Sequence, residues 1–242
     1  FWVGTEAPIG GIYPSKWKEY EHNFPFEARI DSIVSWFSLP INKRPRFCSL
    51  YFHEPDWTGH ETGPRSQETE AVVSHLDSLF GDLISKLEQL PISNNLNIIA
   101  VADHGMAEIS SERTVDLSAY TDMSQIIQEG SGPYAFLYSK KKNIIEPAVD
   151  QLKKAEHISV YLKSDIPERF HFKTHHRIKD ALIIADEGWY IQNQAISSSS
   201  TAGKYVPTGG THGYDNQLKS MHALFIAQGP AFKKDIVTEP FE

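Results

Sequence analysis

The sequence predicts an α/β fold: a mostly parallel sheet covered by helices, with a smaller α+β insertion. Three observations carry this. Two long segments space their apolar residues as helices do, short apolar runs stand between them, and the pattern changes character after Gly105. Behind Phe24-Pro25-Phe26, the spacing of Ile30, Ile33, Val34 and Phe37 predicts a helix over 27–39. Residues 47–52 (FCSLYF) read as a buried strand. A second amphipathic helix is predicted over 66–90 from Val72, Val73, Leu76, Leu79, Phe80, Leu83 and Leu87, with Pro91 to end it. Residues 97–102 (NIIAVA) read as another buried strand, and strand–helix–strand order suggests parallel pairing. Beyond Gly105, strands are expected at 134–139, 159–163 and 181–191, with one helix over 145–155. Residues 197–203 form a Ser/Gly-rich loop, and 222–227 (HALFIA) return to the main layer. The domain reading is a core of 1–130 and 207–242 with an insertion at 131–206.

Of the 242 residues, 40% are hydrophobic and 22% charged, the composition of an ordinary folded chain rather than a disordered or collagen-like one. No run approaches the roughly 20 apolar residues of a membrane span. The opening Phe1-Trp2-Val3-Gly4 lacks the basic and apolar regions of a signal peptide, and reads as a cut within a longer protein. A net charge of −8 argues against binding duplex nucleic acid, but not against a phosphate substrate, since bound metals supply local positive charge. The single cysteine, Cys48, sits in an apolar run and reads as a core residue.

Three motifs border the predicted strands: Glu54-Pro55-Asp56-Trp57-Thr58-Gly59-His60, Asp103-His104-Gly105-Met106, and Gly209-Gly210-Thr211-His212-Gly213-Tyr214-Asp215. The first two follow strands directly, where ligands of open α/β sheets gather. Asp56, His60, Asp103, His104 and His212 are carboxylates and imidazoles, a donor set that suits zinc. Asp56 and His60 are one helical turn apart, so a helix would aim both at one point. Asp103 and His104 are adjacent and could hold one metal or bridge toward another. Two metals about 4 Å apart clamp the attacking and leaving oxygens of an in-line phosphoryl displacement.

These motifs, with FWVGTE, PFEARI, EPDWTGHETGP, ADHGM and THGYDN followed by MHALFIAQGPAF, resemble the nucleotide pyrophosphatase/phosphodiesterase family of the alkaline phosphatase superfamily. The resemblance runs over nearly the whole chain and implies an alkaline-phosphatase-like sheet and two Zn2+ ions. It implies Asp56, His60 and His212 as ligands of one zinc, and Asp103 and His104 as two ligands of the other. The remaining ligands of that second zinc, an aspartate and the nucleophilic threonine, are expected upstream of this chain. No catalytic nucleophile is therefore assigned here, and Thr58 and Thr211 match no nucleophile motif. The implied reaction is covalent: a threonine attacks phosphorus, and the nucleotidyl-enzyme is hydrolysed to a nucleoside monophosphate. The chain alone is expected to be inactive.

The resemblance also implies that Tyr20 stacks on the base, that Trp2 and Glu6 lie beside that slot, and that Tyr51 lines the substrate site. Val3 stands where the family commonly has proline. Family habit implies an extracytoplasmic protein (secreted, periplasmic or anchored to a membrane by a segment outside this chain). Two other readings stay open: a phosphomonoesterase or phospholipid-head-group phosphodiesterase on the same scaffold, and a non-catalytic metal-binding fragment. His53 is expected exposed in a loop, His75 on a helix face, and His222 in the core or behind a ligand. His171, His175 and His176 match a structural run before Arg177-Ile178 rather than a metal cluster. Lys140-Lys141-Lys142 reads as a solvated turn, and Asp215 is a candidate to orient a ligand histidine.

Overall fold

Pro25 pre-sets the backbone entry of the first helix, whose buried face then follows from helical spacing. A computed structural model describes residues 10–192 and 207–241. In chain order it holds α1 (Phe26–Phe37), α2 (Asp56–Thr62), α3 (Gln67–Glu88), β1 (Ile98–Val101), β2 (Ala107–Glu108), β3 (Thr114–Val115), β4 (Ile127–Glu129), β5 (Tyr134–Tyr138) and α4 (Ile145–Leu152). Then follow β6 (Ile158–Leu162), β7 (Ala181–Ala185), β8 (Tyr190–Ile191), β9 (Gly210–Thr211) and β10 (Phe225–Gln228). The predicted 197–203 loop lies outside the described residues. The chain divides into two units: one of residues 1–58, 67–101 and 225–242, the other of 59–66 and 102–224.

In the first unit, α1 buries Ile30 and Ile33 and α3 buries Leu79, Leu83 and Leu87, and these five form one apolar cluster. Cys48, Leu50 and Phe52 pack partly buried against it, on alternate residues, and burial raises the Cys48 thiol pKa. The expected strand over 47–52 is not formed among the described residues. Phe47 is 83% exposed, and the Tyr51 carbonyl accepts from the Arg29 guanidinium at 2.9 Å. Alternation alone makes no ladder; a paired backbone does.

β1 pairs antiparallel with β10, Ile98 opposite Gln228 and Val101 opposite Phe225. The expectation that 97–102 is buried holds on one face only. Ile98 packs on the helical cluster, while Ile99 and Val101 are 53% and 64% exposed.

The second unit is built on a four-stranded sheet in the order β4-β5-β7-β6, all neighbours antiparallel, with the apolar face of α4 in its core. The predicted strand 181–191 is two strands, β7 and β8, parted by a turn at 186–189 where Gly188 takes φ +79°. The α/β class stands, and among the described residues most ladders are antiparallel. Among the described residues β3–β8 is the one parallel ladder. Alternation of strands and helices reports element order; ladder direction depends on which strand comes alongside, and β1 takes the distant β10.

Candidate metal centre

The helix carrying the first motif starts with a local cap. The Glu54 carboxylate accepts from the Thr58 backbone N–H at 3.1 Å and the Thr58 hydroxyl at 3.0 Å, satisfying a donor of the first turn. Asp56 opens α2 and His60 follows one turn later. The division between the two units falls inside α2, so the continuous helix itself ties Asp56 to His60.

His212 reaches His60 through the β2–β9 ladder. Ala107 lies opposite Thr211 and Glu108 opposite Gly210, and Ile109 N–H extends the pairing to Gly209 O at 3.0 Å. The His60 ring stands 5.0 Å from His212. His60 Nδ1 lies 2.8 Å from the Gly210 carbonyl, which can only accept, so Nδ1 carries a proton and Nε2 is left as the outward donor atom. Close approach requires glycine here: a Cβ on Gly210 would lie 2.7 Å from the Gly59 carbonyl oxygen, a backbone atom of α2.

The outcome is that one ligand atom each of Asp56, His60 and His212 lies within 4.8 Å of the other two. Two imidazoles and a carboxylate, with one imidazole held by a carbonyl behind it, suit a zinc ion. The residues present therefore fit the implied metal.

His104 sits beside this group. Its ring stacks on His212 at 3.5 Å, and its Nδ1 donates to Gly105 O at 2.9 Å. Gly105 N–H in turn donates to Met221 O at 3.0 Å. The Asp103 side chain is 82% exposed, 3.6 Å from His104 Nε2, so this pair lies at the open side of the group.

The substrate candidates Tyr20 and Tyr51 are half-buried neighbours, ring centroids 6.2 Å apart. Trp2 and Glu6 lie outside the described residues. Arg29, to which the sequence expectations assign no role, organises this region. It is fully buried on α1 and donates to the carbonyls of Glu21, His22, Phe24 and Tyr51 at 2.9–3.1 Å. Burial lowers its pKa, yet arginine keeps its charge. An arginine one position before Ile30 on the apolar face was the available signal.

Three expectations are corrected. His53 is not exposed: its ring stacks on His22 at 3.9 Å and meets the Phe26 ring at 5.1 Å, and burial lowers its pKa, with His22 adding to the shift. Asp215 does not serve a histidine in its described bonds. It is gripped by both terminal nitrogens of Arg169, accepts from Gln217 N–H, and its pKa is lowered chiefly by that arginine. His222 is exposed rather than in the core. His75 is exposed on α3, and residues 140–142 form an exposed bend after β5. Among the described residues, His171, His175 and His176 join no group of metal-ligand type.

With the geometry described, comparison with known proteins gives the class. The sequence profile of the type I phosphodiesterase / nucleotide pyrophosphatase family matches residues 1–215. The chain belongs to that family. A venom phosphodiesterase of Naja atra is 37% identical over 252 residues, covering all of this chain and 29% of that protein. A bis(5'-adenosyl)-triphosphatase of Mus musculus is 37% identical over 235 residues, covering 96% of this chain and 49% of that protein. Among solved structures, human ectonucleotide pyrophosphatase / phosphodiesterase 5 superposes with a TM-score of 0.85 at 34% identity, over 98% of this chain and 61% of its own. The murine counterpart, as an inactive form in complex with AMP, superposes with a TM-score of 0.83 at 34% identity, over 97% of this chain and 60% of its own. The fold is thus the alkaline-phosphatase-like α/β fold, and the chain spans between 29% and 61% of the length of these relatives.

Proposed function

We propose that the protein containing this chain hydrolyses phosphodiester or pyrophosphate bonds of nucleotides, releasing a nucleoside monophosphate, with zinc held by Asp56, His60 and His212. The observation that carries the reading is the convergence of those three ligand atoms within 4.8 Å. Membership of the family supports it, as do the names of the relatives, venom phosphodiesterases and a dinucleoside triphosphatase, and the AMP complex of the murine structure. Asp103 and His104 are read as two ligands of a second zinc. Bound zinc would supply Lewis-acid stabilisation of charge on the phosphoryl oxygens.

The chain's own residues bind and orient. His60 keeps its Nε2 toward the centre because Nδ1 donates to Gly210 O. Tyr20, with Tyr51 beside it, offers a stacking face to a base, worth roughly 1–3 kcal/mol. The attacking group is read as a threonine outside these residues, which forms a nucleotidyl ester that water then cleaves. Thr58 is left out because its hydroxyl is committed to Glu54. Residues 131–206 are read as an insertion in the core of 1–130 and 207–242; its β5, β7 and β6 lie side by side in one sheet, which β4 of the core joins at the edge. The venom and ectonucleotidase relatives support an extracellular setting. No helix among the described residues is long and apolar enough to cross a membrane.

The test uses the intact protein. Calorimetric titration with zinc should show two sites, one of them lost in His60→Ala and in His212→Ala together with hydrolysis of p-nitrophenyl thymidine monophosphate. Retained zinc affinity and activity in both variants would overturn the reading. So would preference for p-nitrophenyl phosphate over the nucleotide ester.

A further inference from the structure

The second unit holds a cavity of about 350 Å³, and none of its lining residues is a metal-ligand candidate named above. Three parts of the chain build it. β3 and the residues after it supply Thr114, Asp116 and Tyr120, the turn between α4 and β6 supplies Glu156 and His157, and the turn between β7 and β8 supplies Trp189. Two ladders bring these parts together. β3 runs beside β8 with Thr114 opposite Tyr190, and β6 runs beside β7 with Ile158 opposite Ala185. Asp186 N–H then donates to His157 O at 2.9 Å, and Trp189 N–H donates to Asp186 O at 2.9 Å.

The result is a fixed aromatic wall. His157 lies flat on Trp189, ring centroids 3.6 Å apart and planes within 8°. Trp189 itself packs on the apolar core, so His157 is the outer ring of the stack. His157 Nδ1 lies 3.4 Å from Asp186 Oδ2, and the side chain is 39% exposed. Its backbone takes φ +65°, a left-handed conformation in which histidine is enriched over most other residues. The ring is therefore held by the indole on one face and by a carboxylate at its edge, and it stands in place before any ligand arrives.

The lining argues against two classes of ligand. The described residues that form it include no lysine or arginine, so a phosphate finds no cation here. Asp116, Glu156 and His157 are of metal-ligand type, yet among the described residues they form no converging group, so a compact metal ion is not matched. Carboxylates spread among the rings of His157, Trp189 and Tyr120 suit an organic cation instead. Asp116 Oδ1 already accepts from the Ser118 N–H at 2.9 Å and hydroxyl at 2.7 Å, whereas Glu156 is exposed on its turn. A guanidinium group matches both features, because it is planar: one face stacks on a ring while its N–H edge bonds a carboxylate.

We propose that this cavity binds a guanidinium group, which stacks on the His157 ring and pairs with the Glu156 carboxylate. A free small molecule or an arginine of a bound peptide carries the same group. The inference does not depend on the hydrolase reading, and its test reads binding alone.

The experiment is a saturation-transfer NMR titration of the intact protein at about pH 8, above the ordinary imidazole range. Butylguanidine should bind saturably, and butylamine, which has the same charge and chain but no plane, should bind more weakly. Glu156→Gln and His157→Asn should each weaken butylguanidine about two- to fivefold. Asparagine removes the ring but tolerates the left-handed backbone, and Glu156→Gln lies on an exposed turn, so it keeps the test open if the other variant does not fold. Absence of saturable binding, equal binding of butylamine, or unchanged affinity in either folded variant overturns the assignment. The peptide acetyl-Gly-Arg-Gly-amide separates the sources: binding as tight as butylguanidine or tighter assigns the site to an arginine of a partner, and weaker binding assigns it to a free cation.

Discussion

Gly209 is a point where a single methyl group would disturb the metal centre. Its φ is +82°, and a Cβ there would fall 2.9 Å from Glu61 O and closer still to His60 O, both backbone atoms of α2. Two costs follow for Gly209→Ala. Holding an alanine at positive φ costs about 1–2 kcal/mol, and forcing a methyl against backbone that cannot rotate away costs about 1–3 kcal/mol. Their sum, roughly 2–5 kcal/mol, corresponds to a fall in Tm of roughly 4–20 °C for a chain of this size. The strain has a direction. The alanine pushes on the His60 carbonyl, so α2 must shift from β9 and stretch the His60 Nδ1–Gly210 O bond of 2.8 Å. Thermal unfolding and zinc calorimetry on the same variant read both effects, with zinc affinity expected to drop about 10–100-fold, the usual effect of losing a bond behind a ligand histidine. A Tm within about 1 °C of the unaltered protein, with unchanged affinity, would refute the packing argument.

Three further outcomes follow from the described bonds. Arg29→Ala removes a buried guanidinium from four carbonyls and should destabilise by about 3–5 kcal/mol in denaturant titration, while loosening 20–24 and Tyr51 enough to raise KM for nucleotide esters. Tyr214 is buried, its hydroxyl donates to Trp189 O at 2.9 Å, and burial raises its pKa beyond the working range; Tyr214→Phe should cost about 1–2 kcal/mol, with no pH dependence of that loss from pH 6 to about 9, by thermal melts. Arg169 holds the Asp215 carboxyl below its ordinary pKa, so this stabilisation is complete above about pH 4 and is lost as pH falls through the depressed folded value. Arg169→Ala should cost about 1–2 kcal/mol near neutrality, discounted for partial exposure, and flatten the acid limb of the stability profile.

How much of this could be read from the residues depended on distance along the chain. The apolar faces of α1 and α3 were largely legible because helical spacing repeats within each segment: Ile30 and Ile33, and Leu79, Leu83 and Leu87, are buried as in the pattern, while Val73 of the same pattern is 49% exposed and Arg29 and Thr69 are buried outside it. Asp56 and His60 were legible as a pair for the same reason. The direction of the β1–β10 ladder was not, because nothing within either strand names its partner. Residues 47–52 show alternation without pairing among the described residues, and the bond from Arg29 to Tyr51 O is a contact the pattern does not contain. His53 and Asp215 were misjudged because their partners, His22 and Arg169, lie far away in sequence.

The sequence by itself determined the donor types, the glycines beside them, the helix that aligns Asp56 with His60, and the family to which the motifs belong. Only the tertiary structure decided that His212 joins that helix, across 150 residues separating His60 from Gly210. A helix has a fixed rise and turn, so neighbours four apart face one way wherever the helix stands. Bringing in His212 takes a ladder from β2 to β9 and a glycine, Gly210, that admits the Gly59 carbonyl, and no local rule contains that contact.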